Sequence, residues 1–213
     1  MKYFYFLLIL FLTSCIEIID DLKINSNGSG TFKYTLNLSS SKIKVKSLLA
    51  LDSLYGERIP KENEIKQKII EFKTCLKKQE GITNVVVTED YENYIFKIQI
   101  DFLNVENLEK GLKNCFIQKG DTQEDWVSFK NKILIRKIPI LYFDEIKKFG
   151  ENEIDKVKTG TYTSITRFES KIDTFDNKLS IRSKSNTSLM VRITPDMMFL
   201  NKNLLDNKIT LEK

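Results

Sequence analysis

The 213-residue chain contains no histidine. That absence removes the commonest general base, the commonest neutral metal ligand and the usual partner of a Ser or Cys nucleophile. Proline and glycine are scarce, at 3 and 8 residues, and no stretch after residue 30 is rich enough in either to read as a linker. The three cysteines, Cys15, Cys75 and Cys115, lie too far apart for the paired spacing of a zinc site. Charge of one sign is also missing in bulk: 34 Lys and Arg are interspersed with 29 Asp and Glu, a net charge of +5. Without a clustered basic stripe, nucleic acid is excluded as a partner; the charge says at most that an anionic lipid surface would not repel the protein. With 41% hydrophobic and 30% charged residues, the chain is globular rather than disordered.

A long hydrophobic run is lacking too. The chain opens MKYFYFLLILFLTSC, where Lys2 precedes ten apolar or aromatic residues, Tyr3 to Leu12. A membrane span needs about 20, so this is the pattern of a secretory signal. Leu12-Thr13-Ser14-Cys15 resembles the bacterial lipobox at all four positions; the alternative is an ordinary cleaved signal with a chance cysteine near its end. The resemblance implies that Cys15 takes a diacylglyceryl thioether, that residues 1–14 are removed, and that the new amino group is acylated. Two or three chains make a stable anchor, at about 0.8 kcal/mol per buried methylene. Residues 15–213 then form a single exported domain, large enough for a real core, with a net charge of +4 once Lys2 has left.

Ile16-Glu17-Ile18 follows the cysteine at once. A tether of about 2 residues spans at most roughly 7 Å, so the first structural element is expected against the membrane. Residue 16 is Ile rather than the Asp that resembles an inner-membrane retention signal in some bacteria. The periplasmic face of the outer membrane is therefore the expected location; Glu17, Asp20 and Asp21 leave the cell surface open.

Local patterns describe an α+β fold. Ile18, Leu22 and Ile24 precede Asn27-Gly28, and Phe32, Tyr34, Leu36 and Leu38 alternate after it, the signal of a hairpin with a slightly long turn. Ser39 to Ser41 cap a helix that Gly56 and Pro60 would end, and residues 61–81 form the clearest helix, acidic at its start, basic at its end and closed by Gly81. A second hairpin follows (Val85 and Val87, then Tyr94 to Phe102), after which Asn104 caps a helix to about Phe116, with Leu103 and Leu108 placed as a hydrophobic staple. Farther on, 125–138 reads as a short hairpin, 144–158 as a polar helix or loop, 160–172 and 188–195 as strands, 196–201 as a helical turn and 208–211 as a last strand. The expected architecture is a mostly antiparallel sheet of hairpins with two or three helices packed on one face.

Three of these stretches, LKINSNGSGTFKYTLNLS, EGITNVVVTEDYENYIFKIQIDFLNVENLEKGL and FESKIDTFDNKLSIRSKSNTSLMVRITPDMM, are similar to the LppM-type domain of bacterial lipoproteins. The second carries a Phe-x-x-Val-Glu-x-Leu step (Phe102, Val105, Glu106, Leu108). The third departs from the family at Glu169, where Pro is common. The resemblance implies a membrane-anchored exported domain that is not an enzyme, and it transfers no catalytic residue.

Chemistry-bearing motifs are few. Asp20-Asp21 and Glu89-Asp90 pair acids on strands, where neighbours point to opposite faces, so turn and edge solvation is their expected role. Leu51-Asp52-Ser53 lacks both a histidine and a Gly-x-Ser-x-Gly elbow and reads as helix surface, and Trp126 as a core or rim anchor. Lys42, Lys44 and Lys46 alternate as possible membrane-surface contacts, each lysine contributing about 1 kcal/mol close to anionic lipid, with a plain solvated face as the alternative. An exported location permits a disulfide, but Cys115 falls on the apolar stripe Val105, Leu108, Leu112, Phe116 and Cys75 borders Ile65, Ile69, Phe72, Leu76. Two free thiols are therefore expected. No catalytic residue, metal site or cofactor is expected. The leading function is a non-enzymatic binding or structural lipoprotein of the cell envelope, anchored in the membrane, its protein or lipid partner unnamed. The alternatives are a lipid carrier with an apolar cavity and a histidine-free envelope hydrolase whose carboxylates converge in one pocket.

Overall fold

The computed structural model describes residues 16–54, 57–116, 125–137, 159–194, 197, 201 and 203–212. The polar stretch 144–158 and most of the turn expected at 196–201 lie outside them. Strand β1 (Glu17–Ile24) and strand β2 (Gly30–Asn37) form the expected hairpin, in register from Glu17 opposite Asn37 to Ile24 opposite Gly30. Gly28 has φ +84°, a conformation that costs glycine nothing, and Asn27 Oδ1 accepts the Ser29 backbone N–H at 3.0 Å. Gly30 is required for another reason: a Cβ there would collide with the Lys23 carbonyl oxygen. Glu169 accepts the Ser26 N–H at 2.7 Å and pins this loop from outside.

A 3-10 turn, Ser39–Ser41, leads into α1 (Lys42–Leu49). The helix is shorter than expected, because β3 (Ser53–Leu54) and β4 (Glu57–Arg58) make a small hairpin beyond it. No residue of α1 is buried, so no tertiary packing extends a marginal helix. Lys61 Nζ instead binds the Leu51 carbonyl (3.1 Å) and the Asp52 carboxylate (2.8 Å). Asp52 and Ser53 therefore belong to a hairpin, not a helix surface.

Helix α2 (Glu62–Lys77) matches its pattern; Glu64 accepts the Lys61 N–H at 3.1 Å, the return half of a capping box. Strands β5 (Ile82–Asp90) and β6 (Ile95–Phe102) follow, then α3 (Val105–Phe116), capped by Asn104 Oδ1 on the Asn107 N–H at 2.8 Å. The staple is not made: Leu108 is buried, but Leu103 stays 59% exposed. Strands β7 (Val127–Lys130) and β8 (Ile133–Arg136) turn through Asn131 and Lys132, both at positive φ. The chain continues through β9 (Thr161–Phe168), β10 (Ile172–Phe175), β11 (Ile181–Arg182), β12 (Ser188–Ile193) and β13 (Asn207–Leu211).

One seven-stranded sheet has the order β11-β12-β9-β1-β2-β6-β5, and a four-stranded sheet the order β10-β13-β8-β7. Pairings are antiparallel except that β1 runs parallel to β9, Glu17 opposite Thr161 through Ile24 opposite Phe168. Alternation along each strand sends one face inward. Leu22, Ile24, Phe32, Ile100 and Phe102 of the large sheet share one core with Leu76 of α2, Leu108 and Leu112 of α3, and Leu134 and Ile209 of the small sheet. Trp126 is part of this core, its ring 5.4 Å from that of Phe32. The α+β architecture, mainly antiparallel with helices on one face, is as the pattern predicts.

The cysteines are not free. Cys75 and Cys115 form a disulfide, their Cα atoms 5.8 Å apart. Each stripe belongs to its own helix, and α2 and α3 pack together against β5, which brings the two stripe edges into contact. Reducing the bridge, which closes a loop of 40 residues, should cost about 4 kcal/mol of stability in urea titration. The intact protein should weigh two hydrogens less than its dithiol form.

Candidate functional site

The inward face of β1 reads Ile18, Asp20, Leu22, Ile24, and all four are buried. Asp20 is 0% exposed, so edge solvation does not describe it. Its Oδ1 pairs with Nη2 of Arg136, itself buried at the end of β8, and accepts the Ser164 hydroxyl at 3.0 Å; its Oδ2 accepts the Tyr162 hydroxyl. Arg136 Nη1 donates to the Ile165 carbonyl at 2.8 Å and to the Thr166 hydroxyl, while its Nε has no hydrogen-bond partner. Burial, reinforced by the Asp20 charge, holds the Tyr162 phenol well above its ordinary pKa, so it stays a neutral donor. Asp21, on the opposite face, takes the Arg167 Nε at 2.9 and 3.0 Å. Sequence reasoning missed this network. Its trace was present: Asp20 is in phase with Ile18 and Leu22, and Arg136 with Leu134.

A second buried acid lies on α3. Glu109 is 5% exposed; its Oε1 accepts the Trp126 N–H at 3.3 Å and faces Lys113 Nζ at 3.1 Å, and Oε2 has no hydrogen-bond partner. Lys113 also reaches Asp125 at 2.6 Å. Burial, against the pull of Lys113, pushes the Glu109 carboxyl up to about 7. The group ties α3 to the start of β7.

Between the end of α2 and the outer side of α3 lies a shallow cleft of about 230 Å³. Four amides (Gln79, Asn104, Asn107, Asn114) and Lys110 line it, together with Glu80 and Glu106. Among the described residues no group of three or more His, Cys, Asp or Glu is arranged to hold a metal ion, and no helix is long and apolar enough to cross a membrane.

Cys15 lies outside the described residues, but the fold starts beside it: the Ile16 carbonyl accepts the Thr161 N–H at 2.7 Å. At this same end of the sheet Asn37 Nδ2 reaches Glu17 at 3.1 Å, and α1 begins five residues after Asn37. Lys42 approaches Asn93 at 3.3 Å and Glu92 at 4.0 Å; Lys44 and Lys46 are exposed. On a helix Lys42 and Lys46 share a side, one turn apart, and Lys44 points away from them.

No family model matches the chain, and no curated protein matches it. The chain is similar to the NMR structure of the folded domain of LppM from Mycobacterium tuberculosis, at 8% identity and a TM-score of 0.44, over 94% of this chain and 92% of that one. A likeness of that size assigns no site and no activity here.

Two outcomes follow from the buried acids. Asp20→Ala should cost about 3–5 kcal/mol, because it strands the Arg136 charge; the double variant Asp20→Leu with Arg136→Met should recover part of that loss, read as coupling in a urea double-mutant cycle. For Glu109, a folded pKa above the ordinary carboxylate value means the native state holds the extra proton. That stabilisation is present at low pH and is lost as pH rises from about 4.5 to about 7. Glu109→Gln should remove this slope, so its stability relative to the parent should improve by roughly 2–3 kcal/mol between pH 4.5 and pH 8.

Proposed function

We propose that this chain is a lipid-anchored protein of the bacterial cell envelope, held through acyl groups on Cys15, whose single domain 15–213 acts at the membrane by binding or bracing and not by catalysis. The observation that carries the reading is the Cys75–Cys115 bridge. Disulfides persist in oxidising compartments and are rare in the cytosol, and a chain led by a lipobox is delivered to such a compartment. The immediate start of β1 after Ile16 supports close apposition to the bilayer, with Lys42 and Lys46 on one flank of α1 and Lys44 on the other as its contacts with lipid headgroups. Ile16 in place of Asp supports the periplasmic face of the outer membrane.

The absence of histidine and the commitment of Asp20 and Glu109 to buried contacts support a non-catalytic role. Glu80 and Glu106 do line one cleft, the least a histidine-free hydrolase would need. Their surroundings of amides and a lysine suit recognition of polar groups better than acid–base work. A lipid carrier would need an apolar cavity, and this cleft is polar.

Cys15→Ser should accumulate as uncleaved precursor and take up no labelled palmitate; unchanged labelling would overturn the anchor. Protease added to intact cells should leave the protein whole until the outer membrane is permeabilised.

A further inference from the structure

We infer that α1 docks on the bilayer, with Ile43 inserted among the headgroups and lysines on either side gripping anionic lipid. The inference rests on the anchor at Cys15 proposed above. Ile43 is 77% exposed, the most exposed of the large hydrophobic residues described. Single exposed apolar residues are ordinary; this one is distinguished by its setting. At 100° per residue, Ile43 and Ser47 form the outward face of α1, Lys46 and Lys44 flank Ile43 by about 60° and 100°, and the half-buried Val45 and Leu49 face the protein. From Asn37 to Leu51 the chain has no acidic residue; the acids that approach are Glu92 and Asp90, near Lys42, Glu17, against Asn37, and Asp52, which follows Leu51 and is bound by Lys61. Leu51, past the helix end, is a further exposed apolar residue, at 44%.

Position selects a lipid surface as the occupant. Glu17, two residues from the anchoring cysteine, lies opposite Asn37, and the chain leaving Asn37 becomes α1 within five residues. Eight residues are too few to hold a membrane alone, since interfacial helices gain affinity from buried apolar area plus charge. A covalent anchor at the same sheet end removes that limit by keeping α1 at high effective concentration near the lipid. Each lysine close to an anionic surface should then shift the docked population about five-fold.

The test uses the acylated full-length protein carrying Ile43→Trp, reconstituted in vesicles of dibrominated phosphatidylcholine with or without phosphatidylglycerol. The chain's one native tryptophan, Trp126, is 2% exposed and supplies a constant background measured on the parent protein. Docking predicts strong bromine quenching of the introduced indole in phosphatidylglycerol vesicles. Quenching should weaken without phosphatidylglycerol and vanish when Lys42, Lys44 and Lys46 are all changed to Glu, with circular dichroism unchanged. An unquenched indole on protein that remains vesicle-bound would overturn the docking of α1 and leave the anchor intact. Equal quenching on neutral and anionic vesicles would overturn the lysine grip. Protein that floats free and carries no acyl mass on Cys15 would overturn the anchor, and with it the docking that depends on it.

Discussion

The two sheets share an apolar core, and a buried ion pair fixes how they meet. Asp20 comes from the middle of the central strand of the large sheet, and Arg136 from the end of β8 in the small one. Between them they engage both strands of the parallel pair, through Tyr162, Ser164, Ile165 and Thr166 of β9. A charge pair out of water is a costly way to join two layers, since desolvation offsets much of the attraction. Its return is directional. Hydrophobic contact between Leu22, Leu134 and Ile209 would tolerate some sliding of one sheet over the other, whereas a guanidinium that must meet a carboxylate, a carbonyl and a hydroxyl allows one placement.

The helices are fixed to that frame by different means. Leu76, Leu108 and Leu112 supply the apolar contact, the Cys75–Cys115 bridge ties α2 to α3, and Glu109 reaches from α3 to the backbone of Trp126. The disulfide borders the main core, whereas the ion pair lies toward a second buried cluster that holds Ile18, Tyr162, Val191, Ile193 and Leu205.

Local order was legible in the sequence wherever one element carried its own signal. Asn27-Gly28 marked the first turn, Asn104 the start of α3, and the alternation of Phe96, Ile98, Ile100 and Phe102 the strand β6. What escaped depends on two distant elements at once. Asp20 looks like a solvated acid until Arg136 and Tyr162 are brought to it across more than a hundred residues. Cys75 and Cys115 each sit beside an apolar stripe, and only the crossing of α2 and α3 shows that the stripes share an edge. The helix expected to run on to Gly56 and Pro60 stops at Leu49 for a related reason: end signals say nothing of packing, and no residue of α1 is buried against a partner. The polar cleft was equally invisible, since its lining is drawn from the end of α2 and two turns of α3.

The parallel pairing of β1 with β9 has a consequence in time. Asp20 and Ser164 are 144 residues apart, and contacts of such separation form late because the intervening chain must first be closed. A chain emerging from its N-terminus exposes β1 and β2 long before Thr161 appears. During that interval Asp20 has neither Arg136 nor Tyr162, and the hairpin carries a carboxylate on the face that should become its core. Such a hairpin resists collapse on its own. The first strand out thus waits for its parallel neighbour until β9 has been made, far later than β2.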